Sequence, residues 1–443
     1  MNFELDKQTI LDLEIFGHEK GSISIFRFYN LTKTIGGKKY LFDLMQSPLT
    51  DIHKLQQRRD TIKFIYDIKF NLTINSSQFD FIEHYLNLNR SALRNNFLDA
   101  YVQSISYKLK PLNDYYIIQS GIQQLIFLFK HLEVRLNSII NLTLPKEFGN
   151  RILQIQSFFE CHDIKEILTA NEKISCIKLN RFDNLLRKKY KKEVHEIIQI
   201  VYIFDSYISI AQAARKNKFS FPEYLTASGP RLSITGLFHP FIENAVPYNV
   251  EINETKSMSF VTGPNMAGKS TFLKSLGLSI YLSHLGFPVP ATQMKTTVYN
   301  GIISTINLSD NMNRGYSHFY SEVKRIKETA LKIKEKGNIF VIFDELFRGT
   351  NVKDAYDASL IIIKSFSKIT SSTFYISTHI TEVASEIETI KNIQFMYFNS
   401  ELVDNQPIYN YKLLVGVSHE RLGMLIVKNE NIIEILNSIS DTE

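Results

Sequence analysis

Cysteine, tryptophan, glycine and proline are all scarce in this sequence of 443 residues. The two cysteines, Cys161 and Cys176, cannot form a disulfide framework, and no Cys/His spacing indicates a zinc site, so a reducing compartment fits best. Eighteen glycines and eleven prolines exclude collagen-like and linker-like chains, and an aromatic content of 12% argues against disorder. These absences leave an ordinary globular chain, long enough for two to three domains.

Long apolar runs are lacking as well. The first ten residues, MNFELDKQTI, have neither the basic nor the apolar region of a signal peptide. The longest uncharged stretch of interest, residues 275–294, contains serines, a histidine and two prolines, so we expect no membrane span there. The sequence therefore indicates a cytoplasmic protein without a membrane-spanning segment.

The net charge is +6, and the excess of positive charge lies in the first half of the chain. Residues 1–250 hold 32 Lys+Arg and 25 Asp+Glu, whereas residues 251–443 hold 19 and 20. The densest run, RKKYKK at residues 187–192, is able to neutralise the phosphates of a nucleic acid. The alternative, favoured by the base rate for charge runs, is a solvated helix face on which Glu193 and Glu196 pair with the cations.

The character of the chain changes near residue 220. Before it, apolar residues recur at helical spacing, as in residues 125–140 and 194–214, and glycines are rare, which predicts long helices. After it, short apolar runs at residues 257–262, 339–343 and 373–377 alternate with helical patterns. That alternation predicts a parallel sheet flanked by helices.

One motif decides the class of chemistry. Residues 263–270, GPNMAGKS, satisfy the pattern G-x-x-x-x-G-K-[ST] between an apolar run and a helical pattern, which is the context that this phosphate-binding loop requires. The glycines let backbone N–H groups turn towards phosphates, Lys269 reaches the β- and γ-phosphates, and Ser270 ligates Mg²⁺. The predicted nucleotide-binding residues are Gly263, Pro264, Asn265, Met266, Ala267, Gly268, Lys269, Ser270 and Thr271.

Two further strand ends carry candidate catalytic groups. The apolar run at residues 339–343 ends in Asp344, which is predicted to hold Mg²⁺, and in Glu345, which is predicted to act as general base on the attacking water. The run at residues 373–377 leads to His379, interpreted as a sensor of the γ-phosphate because ligands of α/β sheets bind at this edge. The order of these elements resembles the layout of ATP-binding-cassette (ABC) ATPases.

Here the resemblance becomes specific. Residues 262–271, TGPNMAGKST, resemble the phosphate loop of the MutS family, in which G-P-N-M-[GA]-G-K-S-T is distinctive. Residues 344–351, DELFRGTN, resemble the family's D-E-x-G-R-G-T-S, with Phe347 in place of glycine. Other matches are LGFPVPA at 285–291, SDN at 309–311 with SHFYSE at 317–322, STH at 377–379 and YKLLVG at 411–416.

The first half agrees with this resemblance. Residues 5–15 are similar to the opening of the family's helical core domain, residues 32–36 to its T-x-T-x-x-G, and residues 239–241 to the H-P-[VF] that precedes its ATPase domain. The match therefore extends from residue 5 to about residue 427. It implies a multidomain α plus α/β protein, with a long-helix core or lever domain at residues 1–228 and an ABC-type P-loop ATPase domain at residues 229–443.

The resemblance also implies a composite active site in a homodimer. Ser317 and Asn311 of one subunit are then expected to reach the γ-phosphate bound by the other, while the alternative role of Ser317 is to cap the helix that begins near Phe319. An aromatic residue often precedes the phosphate loop to stack on adenine. Ala245 stands at that position here, so either Tyr248 substitutes for it or the base is held elsewhere.

Two functions follow from this resemblance. The first is a Mg²⁺-dependent ATP hydrolase that acts as a homodimeric DNA-binding clamp or sensor in DNA repair or recombination. The second is an ATP-driven conformational switch that acts on a protein partner without contacting DNA. In a full-length MutS, two α/β domains precede the core, and one of them reads mispaired bases. The resemblance to the core begins at residue 5 of this sequence, so we expect a reduced form without mismatch specificity. A transporter ATPase is a weaker third candidate, because L-S-G-G-Q is missing.

Overall fold

The computed structural model describes residues 2–17, 23–93, 113–170, 174–227, 229–306, 318–347, 349–403, 406–418, 431, 432 and 435. The chain divides into two compact units. The helical unit comprises Phe26–Gln46 and Gln57–Arg215, and the sheet unit comprises Met1–Ile25, Ser47–Gln56 and Lys216–Glu443.

Helices occupy most of the first half of the chain. They are α1 (Lys7–Asp12), α2 (Ile25–Tyr29), α3 (Ile35–Gln46), α4 (Ile52–Asp67), α5 (Ser76–Leu86), α6 (Asn113–Asn137), α7 (Lys146–Phe159), α8 (His162–Leu168), α9 (Cys176–Asn184), a π-helical turn (Leu185–Lys189) and α10 (Lys191–Lys216). The apolar periodicity at residues 125–140 and 194–214 thus corresponds to α6 and α10. The core of the helical unit includes aromatic pairs such as Phe148 and Phe204, whose ring centroids lie 5.0 Å apart.

Helix α10, with 26 residues, is the longest of the described helices. Its length and composition would suit a membrane span, contrary to the expectation from the sequence that no segment has this character, but 83% of its most apolar window is buried within the structure. Its Asp205 accepts hydrogen bonds from the backbone N–H groups of Lys33 and Thr34 and from the Thr34 hydroxyl. This carboxylate therefore anchors the start of α3, and Gly37 is required there because a Cβ would lie 2.4 Å from Asp205 Oδ2.

The basic run at residues 187–192 lies on the π-helical turn and the start of α10. Arg187 pairs with buried Asp183, Lys189 pairs with Asp163, and Lys192 lies 3.9 Å from Glu196. Three of the five cations in the run therefore have acidic partners within the helical unit. The interpretation of the run as a solvated helix face agrees with these contacts better than the interpretation as a nucleic-acid patch.

The sheet unit is built on a seven-stranded sheet with the strand order β1-β7-β8-β9-β5-β10-β11. All neighbouring strands pair in parallel except β10 and β11, which are antiparallel. Its strands are β1 (Glu4–Leu5), β5 (Met258–Thr262), β7 (Gly301–Thr305), β8 (Ile339–Asp344), β9 (Thr373–Ser377), β10 (Ile393–Val403) and β11 (Gln406–Val415). The predicted strands at residues 257–262, 339–343 and 373–377 are confirmed, and so is the mainly parallel sheet.

The remaining elements of the sheet unit surround this sheet. A second sheet has the order β2-β6-β3-β4, formed by β2 (Glu223–Tyr224), β3 (Leu232–Leu237), β4 (Tyr248–Ile252) and β6 (Gln293–Thr296). The helices are α11 (Lys269–Ser283), α12 (His318–Lys336), α13 (Val352–Phe366) and α14 (Glu382–Ile387). The helical pattern that follows the phosphate-loop motif thus corresponds to α11.

Register explains where the carboxyl ends of the central strands meet. In the strand order, β9 lies between β8 and β5, and Ser377 pairs in register with both Asp344 and Val261. The last residues of the three strands therefore lie side by side at one edge of the sheet, where parallel α/β sheets bind their ligands.

The chain begins within the sheet unit. Strand β1 pairs in parallel with β7, and the backbone N–H of Glu4 donates to the carbonyl of Asn300. Gly301 allows the close approach, because a Cβ there would lie 2.4 Å from the Cβ of Glu4. Residues 1–25, 47–56 and 216–228 thus share a compact unit with the predicted ATPase domain of residues 229–443, so the compact units divide the chain elsewhere than at residue 228.

His284, at the end of α11, is fully buried in the sheet unit. Its Nδ1 lies 2.8 Å from the carbonyl oxygen of Leu49, and its Nε2 accepts from the backbone N–H of Tyr299 at 3.2 Å. The ring of Phe3 packs at 4.4 Å. A neutral ring with a proton on Nδ1 satisfies both bonds. Burial lowers the pKa of His284 to about 4, and the bond to Leu49 opposes that shift.

The buried imidazole predicts a loss of stability in mild acid. An unfolded histidine binds its proton near pH 6.5, so between that pH and about 4 the unfolded state binds more protons than the folded state. The free energy of unfolding should fall by about 3 kcal/mol across that window through His284 alone. Urea unfolding at pH 7 and pH 4.5 measures the fall. His284→Gln should reduce it and exposed His53→Gln should not; equal slopes in both variants would contradict the assignment.

Candidate active site

The phosphate-loop motif forms the connection between β5 and α11. Three of its residues have positive φ: Gly263 at 141°, Met266 at 67° and Gly268 at 106°. Gly263 also has no room for a side chain, because a Cβ would lie 2.9 Å from the backbone carbonyl oxygen of Phe398. The tight loop therefore depends on glycine at both ends, and it leads directly into the N-terminus of α11, a helix end that favours the binding of an anion.

Lys269 is the first residue of α11, and its side chain is buried. The ammonium Nζ donates to the carbonyl oxygens of Gly263 at 2.8 Å and Pro264 at 3.0 Å. The lysine therefore bridges the loop from its end to its beginning, and its positive charge is held within the turn where the motif predicts phosphates.

Asp344, the last residue of β8, joins three elements. One oxygen of its carboxylate accepts a hydrogen bond from the hydroxyl of Ser270 in α11, and the other accepts from the hydroxyl of Ser377 at the end of β9. Ser270 and Asp344, the two predicted metal ligands, are thus in direct contact. Ser377 had no predicted role beyond its place in the STH motif; its signal in the sequence is its position as the last residue of a buried strand.

Glu345 and His379 meet beside this group. The backbone N–H of Glu345 donates to the carbonyl of Ser377 at 3.0 Å, and φ at Glu345 is +60°. Its carboxylate contacts Nε2 of His379. The side chain of Glu345 is 12% exposed and that of His379 is 37% exposed, so the pair lies at the surface of the site. The structure therefore brings all three predicted catalytic residues, Glu345, His379 and Lys269, to the same edge of the sheet.

The departure from the family pattern at Phe347 has a structural cost. Its φ of +62° lies in the left-handed region, where the glycine of the D-E-x-G pattern would be free of strain. Phe347 is buried, and its ring packs 5.5 Å from that of Phe319 in α12. Burial of a phenylalanine contributes about 2 kcal/mol, similar to the cost of a strained residue. This segment is thus anchored to α12, and Arg348 lies outside the described residues.

A pocket of about 520 Å³ opens over the loop. Its walls include Tyr248, Met266, Lys269, Glu345 and Tyr411, and its volume is typical of a small-molecule site. The ring of Tyr248 is fixed edge-to-face against Phe272 and Phe398, with centroids at 5.2 and 5.8 Å, and burial raises its pKa.

Tyr411 was not predicted as a site residue. It lies on β11 with φ of +55° and is 44% exposed. It faces the loop, since a Cβ built on Gly268 would lie 3.4 Å from its ring. The sequence contained it only as the first residue of the YKLLVG match, and nothing local indicated that the β10–β11 hairpin returns to the phosphate loop.

The predicted site residues thus fall into two groups. The first lies around the loop and its pocket: Gly263, Pro264, Asn265, Met266, Ala267, Gly268, Lys269, Ser270, Thr271, Tyr248, Asp344, Glu345 and His379. The second consists of Asn311 and Ser317, which lie outside the described residues. Their roles remain predictions.

The architecture of this unit, a mainly parallel sheet with the loop, the acids and the histidine at its carboxyl edge, is that of an ABC-like ATPase domain. Comparison with known proteins agrees. The family model of MutS domain V matches residues 259–440. The DNA mismatch repair protein MutS of Anaplasma phagocytophilum is 30% identical over 223 residues, which are 50% of this chain and 27% of that protein.

Other relatives extend the match along the chain. The MutS of Wolbachia pipientis wMel is 23% identical over 435 residues, covering 96% of this chain and 48% of its own length. That of Ehrlichia ruminantium (strain Gardel) is 26% identical over 344 residues, 74% of this chain and 42% of its own. These matches support membership of the chain in the MutS family, and the chain spans less than half the length of these curated relatives.

The geometry at Gly263 predicts a matched pair of variants. Gly263→Ala should reduce the free energy of unfolding by at least about 1 kcal/mol more than Gly337→Ala, because both sites have positive φ but only Gly263 faces backbone atoms. Among the described residues, none has an atom within 4 Å of a Cβ built at Gly337. Urea unfolding of the two variants measures the difference, and equal losses would show that the contact with Phe398 is not restrictive.

Proposed function

We propose that this chain is a Mg²⁺-dependent ATP hydrolase. The observation that carries the proposal is the contact between Ser270 and Asp344, because Ser270 and Glu345 line the pocket above the phosphate loop. Hydrolysis of a phosphoanhydride needs anion binding, charge neutralisation and an activated water, and each has a candidate group here.

Phosphate binding falls to the loop and to Lys269. The backbone N–H groups at the start of α11 favour negative charge, and Lys269 would exchange its two carbonyl acceptors for phosphate oxygens. An ammonium already held within the turn loses little conformational freedom on binding, which favours affinity. For the base, Tyr248 supplies a fixed aromatic wall, and Tyr411 is a second aromatic candidate on the same pocket.

The residues present fit a magnesium ion. A hydroxyl and a carboxylate in direct contact at the carboxyl edge of the sheet are oxygen donors of the kind that Mg²⁺ prefers, so Ser270 and Asp344 would hold it. When bound, the ion would neutralise charge on the transferred phosphoryl group. The bond from Ser377 orients the Asp344 carboxylate for that role.

Water activation falls to Glu345. Its carboxylate lies on the pocket wall and would accept the proton of the attacking water. His379, in contact with that carboxylate, orients it and would reach the γ-phosphate. Part of the proposal is that ATP closes a homodimer, in which Ser317 and Asn311 of one subunit complete the site of the other.

Separating binding from turnover tests these roles. Lys269→Ala should weaken ATP binding at least tenfold, because the buried cation is lost, whereas Glu345→Gln should bind ATP normally and turn over at least a hundredfold more slowly. The measurements are the Kd of a fluorescent ATP analogue and the rate of phosphate release with Mg²⁺. Equal loss of binding in both variants would contradict the role of Glu345 as base.

The proposal extends to DNA. The relatives are named DNA mismatch repair proteins, and this supports a role on DNA. We therefore propose a homodimeric DNA-binding clamp or sensor in repair or recombination, located in the cytoplasm. The helices within residues 1–228 would serve as its core or lever and residues 229–443 as its ATPase domain. We propose that the protein binds mispaired and matched duplex DNA with equal affinity.

Salt dependence tests the DNA proposal. For homoduplex, mismatched and branched DNA, the logarithm of the binding constant should fall linearly with the logarithm of the salt concentration, because phosphate contacts release counterions. Mismatched and matched duplexes should bind with equal affinity within about threefold. Fluorescence anisotropy from 50 to 200 mM salt measures both. A tenfold mismatch preference, which equals ~1.4 kcal/mol, would overturn the specificity claim, and absence of binding to any DNA would favour the protein-partner switch.

A further inference from the structure

Two tyrosines line the pocket above the phosphate loop, and they differ in how much of the side chain a ligand can reach. Tyr248 is 6% exposed, and its ring packs against those of Phe272 and Phe398. Tyr411 on β11 is 44% exposed. A ligand in the pocket can therefore contact a large part of Tyr411 but little of Tyr248.

Tyr411 lies within a β-bulge of the hairpin formed by β10 and β11. Phe398 pairs with Leu413, whereas Ser400 pairs with Tyr409. One residue of β10 therefore lies opposite three residues of β11, and Tyr411 is the middle one of these three. A bulge bends its strand and re-aims a side chain, and bulges are frequent beside active sites.

The bulge is held by side-chain hydrogen bonds, and its backbone is strained. The backbone N–H of Lys412 donates to Oδ1 of Asn410 at 3.0 Å, and Nδ2 of Asn410 donates to the carboxylate of Glu401 at 3.2 Å. At Tyr411, φ is +55°, which is uncommon for residues other than glycine and costs free energy. Strain of this kind concentrates at ligand-binding sites, so the hairpin holds Tyr411 in a conformation that plain strand pairing does not need.

The bulge places Tyr411 against the end of the phosphate loop. A Cβ built on Gly268 would lie 3.4 Å from its ring, and Gly268 directly precedes Lys269. The apolar side chains of Ile242 and Val246 line the same pocket. The pocket therefore combines a cation for phosphates with apolar and aromatic surface, which suits an uncharged planar group.

We propose that the base of a bound nucleoside triphosphate stacks on the ring of Tyr411. This inference rests on the proposed nucleotide binding of the pocket and assigns the base to one residue. Tyr248 then packs the loop rather than stacking on the base. Stacking uses the flat face that all bases share, so adenine and guanine should both bind to this ring. A ring that the hairpin already orients loses little conformational freedom when the ligand arrives.

Contact with the loop supplies a competing explanation. If Tyr411 only supported Gly268, its loss would distort the phosphate loop and weaken the binding of every phosphate compound. If the base stacks on Tyr411, only ligands with a base lose affinity. Inorganic tripolyphosphate has the phosphates of ATP and no base, so it separates the two explanations.

Three variants test the stacking role. Tyr411→Ala should weaken the binding of ATP with Mg²⁺ at least about tenfold, because the stacking surface is lost, while tripolyphosphate binding stays within about twofold. Tyr411→Phe keeps the ring and should bind both ligands like the unmodified chain. Tyr116→Ala, which removes a tyrosine 53% exposed on α6 of the helical unit, is the matched control and should change neither affinity.

Isothermal titration calorimetry of the full-length chain measures these affinities. Equal losses for ATP and tripolyphosphate in Tyr411→Ala would overturn the inference, because the residue would then support the loop. A loss in Tyr411→Phe as large as that in Tyr411→Ala would also overturn it, because the hydroxyl and not the ring would be the group that matters.

A fluorescent variant gives an independent measurement, also if Tyr411→Ala fails to fold. The chain contains no tryptophan, so Tyr411→Trp introduces a single indole whose emission reports on this position. ATP and GTP should quench that emission by stacking, whereas tripolyphosphate should not. Tyr116→Trp is the control and should respond to none of the three ligands. Equal quenching of Tyr411→Trp by tripolyphosphate and by ATP would contradict stacking.

The outcomes separate this inference from the proposed function. Absence of ATP binding by the unmodified chain overturns both. Binding of ATP without hydrolysis overturns the proposed hydrolase alone, and the Tyr411 variants still decide where the base lies. Binding and hydrolysis with unchanged ATP affinity in Tyr411→Ala overturn the inference alone.

Discussion

The site depends on one buried carboxylate. Asp344 ends the central strand β8 and accepts hydrogen bonds from Ser270 at the start of α11 and from Ser377 at the end of β9. An ionised carboxylate with few protein donors is costly to bury, and two hydroxyl donors from neighbouring elements offset that cost. The same two bonds tie the start of α11 and the end of β9 to the end of β8. The groups proposed for catalysis are therefore held in fixed positions relative to one another.

The buried strands and the phosphate loop of this site were predictable from the sequence. The runs that end in Thr262, Asp344 and Ser377 are continuous and apolar, which is typical of strands buried on both faces, and the loop motif has a fixed geometry that needs glycine at Gly263 and Gly268. Neighbouring strands in a parallel sheet end at the same edge, so the meeting of the loop with Glu345 and His379 followed from the order of the elements.

What the sequence did not predict depends on pairing between distant residues. Tyr411 reaches the pocket because β10 pairs with β5, more than 130 residues earlier, and β11 returns along β10. The first residues of the chain join the sheet because β1 pairs with β7. A two-residue strand such as Glu4–Leu5 has no periodicity to detect, so the sequence gives no local signal for that pairing. At Phe347 the sequence shows only a departure from the expected glycine. The packing against Phe319 that compensates for its strained backbone is seen only in the structure.

The position of β1 has a consequence for how the chain folds during synthesis. The bond from the backbone N–H of Ser304 to the hydroxyl of Thr9 joins residues 295 positions apart. At a usual synthesis rate of 5–20 residues per second, the first strand emerges from the ribosome about 15–60 s before β7 exists. Until the second half of the chain emerges, Phe3 and Leu13, both buried in the final structure, lack the residues that they lie against, His284 and Gly277. This edge of the sheet is thus completed by residues that are made long before β7, and pairing between residues so far apart in sequence slows folding.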